Sequence, residues 1–323
     1  MLRMDGFDVV VASSYAEALK YWHPEAMYCA GGTDLLPNLK HRLFQPKTLI
    51  HIGDIPGTAS LEGDSLVLGA GMRLSQLAAD PLVQTHLSFL ASAAGMVAGP
   101  QLRNMGTLGG NVLLDTRCMY YNQTEFWRKS LGYCLKAEGD WCHVVKGPKT
   151  CVAAQSSDTV PVLLLADAEL CFLGPTGGRR LRLRELFRFD GKAHLQITPG
   201  ELLTELRIPL PGAGFRGNYQ KLRTRASIDF PQLSVALGGS FDGDTPISLE
   251  GVIGAVNPAP KPLRGLEAFV GQPLSTENIK AIADLAYKQT RPQASIQGDV
   301  AWRRQMAAVY VRRGLEQLAL ASG

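Results

Sequence analysis

Four cysteines, Cys118, Cys134, Cys142 and Cys151, fall within 34 residues, separated by fifteen, seven and eight intervening positions. Thiols in that number bind metals or pair with one another. Structural zinc sites bring ligand pairs two to four residues apart, and no such pair occurs here. Four thiolates satisfy a 4Fe-4S cluster equally well, although the short-spaced ferredoxin signature is absent. A reducing cytoplasmic thiol pool disfavours disulfides. Iron–sulfur, zinc and no metal at all therefore stay open on spacing alone. His143, next to Cys142, reads as a neighbour of the ligands, and Cys29 and Cys171 stand apart as buried, inert thiols.

Two glycine-rich runs offer a different chemistry. Ala30-Gly31-Gly32-Thr33-Asp34-Leu35 follows a short apolar run, and Thr107-Leu108-Gly109-Gly110-Asn111 recurs about 75 residues later. Glycines let backbone amides approach an anion closely, and Thr33, Thr107 and Asn111 add hydrogen-bonding side chains. Either run alone could be a tight turn, but the pair reads as an anion cradle. Hydrolytic and nucleotide-hydrolysing signatures are missing: there is no Gly-x-Ser-x-Gly elbow, no His-Glu-x-x-His and no loop ending in Gly-Lys-Ser/Thr. The six histidines are dispersed, which disfavours a histidine-based centre.

The elements that must position these residues read as α+β. A strand over 7–12, a helix over 14–22 capped by Ser13 or Ser14, and a strand over 27–30 make a βαβ-like start, with Glu17 where a capping-box acid belongs. Small strands are expected over 49–71, and one helix over 75–98. The second glycine run reads as a loop flanked by extended residues. Residues 115–155 hold the four cysteines and many aromatics with no sustained period, which is unusual in a compact domain unless the segment has a function or a cross-link of its own. A helix and then strands resume at Asp158, and Pro/Gly punctuation near 211 leads to strands over 233–241 and 249–256 and helices over 277–289 and 299–320. The expected units are 1–55, 56–211 with the cysteine-rich insertion, and 212–323.

The chain has 323 residues, 33 Lys+Arg against 29 Asp+Glu, 46% hydrophobic and 19% charged residues. That composition suits a globular protein with a sizeable core and excludes disorder, collagen and coiled coil. Arg179, Arg180, Arg182 and Arg184 alternate with other residues as an exposed strand face would, so no nucleic-acid partner is expected. The longest apolar candidate, 160–166, is too short for a bilayer and contains Pro161, and no signal peptide is evident, so a cytoplasmic protein without a membrane association is expected.

Four blocks, AGGTDLLPNLK, RNMGTLGGNV, SSDTVPVLLLADAEL and YQKLRTRASIDFPQLSVAL, occur in that order along essentially the whole chain. In this combination the sequence resembles the FAD-binding subunits of the xanthine dehydrogenase family of molybdenum hydroxylases. The resemblance implies a two-subdomain FAD-binding fold of the vanillyl-alcohol-oxidase/xanthine dehydrogenase flavoprotein type, followed by a C-terminal domain of antiparallel sheet and helices. It implies FAD contacts from Ala30, Gly31, Gly32, Thr33, Asp34 and Leu35 in the first loop and from Thr107, Leu108, Gly109, Gly110 and Asn111 in the second. Asp158 matches an acid near the nucleotide end of FAD, and Lys221 a lysine near the isoalloxazine.

Most relatives run directly from the second loop to that Asp. The four-cysteine insertion resembles the one in the β subunit of 4-hydroxybenzoyl-CoA reductase. That likeness implies a 4Fe-4S cluster on Cys118, Cys134, Cys142 and Cys151, with reduced ferredoxin as donor. It also implies a small 2Fe-2S subunit and a large molybdenum-cofactor subunit in a dimer of heterotrimers, with 4-hydroxybenzoyl-CoA as substrate and no catalytic residue for it on this chain. The competing expectation is the FAD subunit of another hydroxylase of this type, with a zinc-stabilised docking insertion.

Overall fold

Parallel strands need crossover connections, and the first fifty residues supply two of them. In the computed structural model, which describes residues 3–320, strands Asp8–Val11 and Ala26–Cys29 both pair in parallel with Thr48–His51, which lies between them. Helices Tyr15–Lys20 and Leu35–Lys40 make the crossovers. The first is capped as expected: Ser14 Oγ accepts from Glu17 N (3.1 Å), and Ser13 N donates to the Glu17 carboxylate (2.7 Å). The Ala30–Leu35 turn leaves the carboxyl end of a strand, where open α/β sheets bind ligands.

A second sheet is antiparallel, with strands in the order Ala59–Glu62, Ser65–Gly69, Leu202–Pro209, Glu169–Gly174 and Gly177–Arg182. The last carries Arg180 and Arg182 exposed and Arg179 half-buried against Glu201, whereas Arg184, expected on the same face, falls in the short helix Leu183–Leu186. The helix expected over 75–98 is in fact three: Leu74–Ala79, Pro81–His86 and Ser88–Gly95. Pro81 has no amide hydrogen to continue the first, and Asp80 Oδ1 caps the second by accepting from Leu82 N and Val83 N. The second glycine run also differs from the expected loop, since Leu108–Val112 forms a helical turn with Thr107 Oγ1 accepting from Gly110 N.

The insertion is not wholly irregular either. It holds helix Glu125–Ser130 and a 3₁₀ turn at Leu135–Ala137. Its two ends meet in a backbone bridge between Arg117 and Ala154, with N···O distances of 2.7 and 2.8 Å. Buried Arg128 ties it to the N-terminal unit by donating to the carbonyls of His41 (3.0 Å) and Arg42 (2.9 Å).

In the C-terminal third, Phe215–Leu222, Leu233–Asp242 and Glu250–Gly254 form an antiparallel sheet, covered on one face by helices Thr276–Gln289 and Val300–Leu320. Its other face joins the main core through Tyr219, Ala236 and Val252, against helix Thr159–Leu165. The Ala255–Asn257 turn exchanges backbone hydrogen bonds with Gln155, just ahead of Asp158. Fully buried Arg303 holds that turn, donating to the carbonyls of Ala255 (3.1 Å), Gln293 (2.9 Å) and Gln232 (2.9 Å). Among the described residues no helix is long and apolar enough to cross a membrane.

Arg303→Met would leave three carbonyls, that of Ala255 buried and those of Gln232 and Gln293 part-buried, without their charged donor. Unfolding free energy from urea titration is expected to fall by roughly 3 kcal/mol or more. A loss under about 0.5 kcal/mol would mean that the turn is held by other contacts.

Candidate functional site

A cavity of about 540 Å³ opens where the two glycine runs meet, and it is lined by all of Ala30–Leu35 together with Thr107, Gly109, Gly110, Asn111 and Asp158. That volume lies in the range of cofactor sites. Gly31 brings the runs together, because a Cβ there would fall on the Met105 carbonyl oxygen. Gly32 then takes a φ of 69°, in the left-handed region that side chains disfavour. Arg73 clamps the junction by donating to the carbonyls of Met105 and Gly53, both at 2.5 Å.

The structure redistributes roles within the second run. Leu108 is fully buried in the main core and does not line the cavity. Asn111 faces the cavity but spends its Oδ1 on the Ser157 hydroxyl (2.7 Å) and the Thr159 hydroxyl (2.7 Å), fastening this run to the segment that carries Asp158. Next to it, Ser156 Oγ is buried against the cavity with no hydrogen-bond partner among the described residues. An unpartnered buried hydroxyl is costly unless a ligand group meets it.

Asp158 lies at the cavity wall, and its carboxylate accepts from Tyr219 Oη (2.6 Å) and Lys221 Nζ (2.8 Å). Lys221 also donates to the Met96 carbonyl (2.9 Å) and is not among the residues that line the cavity. The structure thus sets Lys221 behind Asp158 instead of at the wall where a flavin-facing lysine would stand. Burial pushes the Asp158 carboxyl up and the Lys221 ammonium down, and each partner opposes the shift of the other.

Sequence reasoning missed several wall residues. Arg117 pairs with Asp34, and its guanidinium lies 4.5 Å from the centre of the Phe230 ring. Ile228, Asp229 and Phe230 reach the same mouth from the C-terminal unit. The block SIDFPQ contained the signal for them, but only as part of a resemblance. Cys29, expected to be merely inert, lines the cavity too, and Cys171 is only half-buried.

A second, small pocket lies in the insertion and is lined by all four of Cys118, Cys134, Cys142 and Cys151. All are free thiols, and Cys118, Cys134 and Cys151 pack in one buried cluster with Tyr121 and Ala153. Among the described residues no group of three or more His, Cys, Asp or Glu is arranged to hold a metal ion. Zinc requires four donors about 2.3 Å from one centre. In a 4Fe-4S cluster each iron takes its own thiolate, so four sulfurs around a pocket could hold it without converging. Burial pushes the Cys118 thiol up to about 11 and raises Cys151 as well, while Lys136 pulls Cys151 down. Metal loading must displace those protons. His143 stacks on Tyr120 (5.3 Å between ring centres) and engages the Tyr133 carbonyl through Nε2 (2.7 Å).

Gly31→Ala, which would drive a methyl group into the Met105 carbonyl, is expected to cut FAD content several-fold, read as flavin absorbance per chain. Full flavin occupancy would mean that the runs do not meet there. Leu108→Ala should instead keep its flavin and lose about 2–5 kcal/mol of unfolding free energy.

Known proteins match this arrangement along its length. The family "FAD binding domain in molybdopterin dehydrogenase" matches residues 5–211, and "CO dehydrogenase flavoprotein C-terminal domain" matches 218–318. The aldehyde oxidoreductase FAD-binding subunit of Escherichia coli is 33% identical over 283 residues, covering 84% of this chain and 86% of that protein. The carbon monoxide dehydrogenase medium chain of Hydrogenophaga pseudoflava is 28% identical, covering 90% and 88%. A solved structure of carbon monoxide dehydrogenase from that organism superposes with a TM-score of 0.80 at 26% identity, over 99% of both chains. Two family models in sequence, a relative 33% identical over most of the chain and a shared fold make this chain an FAD-binding medium subunit of the xanthine dehydrogenase/carbon monoxide dehydrogenase family of molybdenum hydroxylases.

Proposed function

We propose that this flavoprotein subunit holds FAD in the large cavity and a 4Fe-4S cluster on Cys118, Cys134, Cys142 and Cys151, and that it serves as an electron relay within its complex. The observation that carries the reading is the gathering of four free thiols from separate stretches of the insertion around one pocket beside the glycine-lined cavity. When bound, FAD converts between two-electron and one-electron transfer and the cluster supplies a one-electron port, so reduced ferredoxin could feed a small 2Fe-2S subunit and a large molybdenum-cofactor subunit that dehydroxylates 4-hydroxybenzoyl-CoA to benzoyl-CoA.

The chain's own residues bind and shield. Ala30–Leu35 would carry the pyrophosphate on backbone amides, with Thr107, Gly109 and Gly110 shaping the facing wall, since the Leu108–Asn111 amides are already engaged within the fold. Asp158, kept in place by Tyr219 and Lys221, would accept from cofactor hydroxyls, and Ser156 Oγ would gain the partner it lacks. Arg117 and Phe230 would close the mouth against water. A cytoplasmic location, where thiols stay reduced, fits the free cysteines.

A second reading concerns only the organic substrate. The 33% identity to an aldehyde oxidoreductase subunit favours an aldehyde, with electrons leaving the complex through this chain instead of entering it. The cofactor assignment is common to both readings.

Analysis of anaerobically purified complex for iron, sulfide, zinc and flavin tests the relay, with about four irons and four sulfides per FAD expected. One zinc and no iron would overturn the cluster. Cys134→Ser should lose the iron, keep FAD and abolish ferredoxin-linked turnover; loss of FAD with the iron would make the insertion structural. Assay with 4-hydroxybenzoyl-CoA and reduced ferredoxin, against an aldehyde and an oxidant, separates the two substrates.

A further inference from the structure

The cavity and the cysteine pocket share one thin wall. Leu114, Asp115 and Arg117 line the cavity, whereas Cys118, next in the chain, lines the pocket. Lys136 reaches this wall from the pocket side. Its Nζ donates to Asp115 Oδ1 (2.7 Å), Thr116 Oγ1 (2.6 Å) and the Thr116 carbonyl (3.1 Å), which uses all three ammonium protons. The same nitrogen lies 4.6 Å from the centre of the Tyr121 ring, so the aromatic face adds to the attraction on the cation. The Lys136 side chain is 5% exposed and that of Asp115 25%. His194 stands behind Asp115, with Nδ1 3.8 Å from Oδ1 and Nε2 engaged by the Leu114 carbonyl.

The pair therefore crosses the wall with a direction, its ammonium on the cysteine side and its carboxylate on the cavity side. A buried ion pair is a weak source of stability, because desolvating both charges offsets most of their attraction. The base of the insertion is also already fastened by the Arg117–Ala154 bridge and by Thr116 Oγ1 donating to the Gly191 carbonyl (2.6 Å). An oriented charge pair between two electron-carrying sites has an electrostatic consequence that a staple lacks. One-electron reduction adds a negative charge, which a nearby cation favours and a nearby anion opposes, and little water intervenes to screen either.

On the reading that the four thiols carry a 4Fe-4S cluster, we infer that the Lys136–Asp115 pair sets the potential difference between cluster and flavin, raising the first and lowering the second. Lys136 and Asp115 are tuning residues in this account and transfer no electron themselves. The effect narrows the drop from a low-potential cluster to FAD, so that electrons can cross in either direction.

The test is a redox titration of the anaerobic holoprotein, following the cluster by electron paramagnetic resonance and the flavin by absorbance, after iron and FAD content have been measured. Lys136→Met should shift the cluster midpoint to lower potential by more than it shifts the flavin. Lys136→Arg, which keeps the charge, should return it toward the wild-type value. Asp115→Asn should raise the flavin midpoint more than the cluster midpoint, and it carries the test if Lys136→Met fails to fold. Full iron and FAD with unmoved midpoints, or with both moved equally, would overturn the inference. Wild-type protein with FAD but no iron would overturn the cluster reading on which it stands.

Discussion

The absence of a side chain at Gly31 is the constraint on which the large cavity depends. The Met105 carbonyl occupies the place where a Cβ would be, so the turn that leaves the parallel sheet touches, backbone to backbone, the turn between helices Pro100–Arg103 and Leu108–Val112. Arg73 bridges them through two carbonyls, and Leu108 N and Gly109 N donate to the carbonyls of Met72 and Ala70, both at 2.8 Å. The cavity is the space left beside this junction. Its mouth, floor and walls come from three parts of the chain that meet because the junction fixes their spacing.

A second set of contacts holds the far wall. Asn111 grips Ser157 and Thr159, and Tyr219 and Lys221 grip Asp158 from the C-terminal sheet. Arg303 steadies the turn that pairs with Gln155. Each of these is a buried polar group with a partner, and the Ser156 hydroxyl between them is the exception that faces the cavity. The C-terminal unit thus helps to build the cavity wall through its hydrogen bonds, although most of its own residues only pack.

The insertion adds a second, small pocket lined by its four cysteines. Closing its ends at Arg117 and Ala154 returns the chain to the same place, so the flanking fold is undisturbed. The small core around Cys118, Cys134 and Cys151 is too slight to be stable alone, which is why Arg128 borrows carbonyls from the N-terminal unit.

Local patterns in the sequence determined a good deal. The capped helix after Ser14, the C-terminal helices and the paired glycines are local features, readable from periodicity, capping and steric need. The count of four clustered cysteines likewise limited the chemistry before any fold was known. Some local readings were too coarse: Pro81 splits what looked like one helix, and Thr107 turns an apparent loop into a helical turn. Tertiary structure alone decided which distant residues share a wall. It put Thr48–His51 between the first two strands, Lys221 behind Asp158, Leu108 in the core, and Arg117 beside Phe230. These are contacts between residues far apart in the chain. Period and composition report only a residue's immediate neighbours, whereas such contacts follow from how whole elements pack to bury their apolar faces.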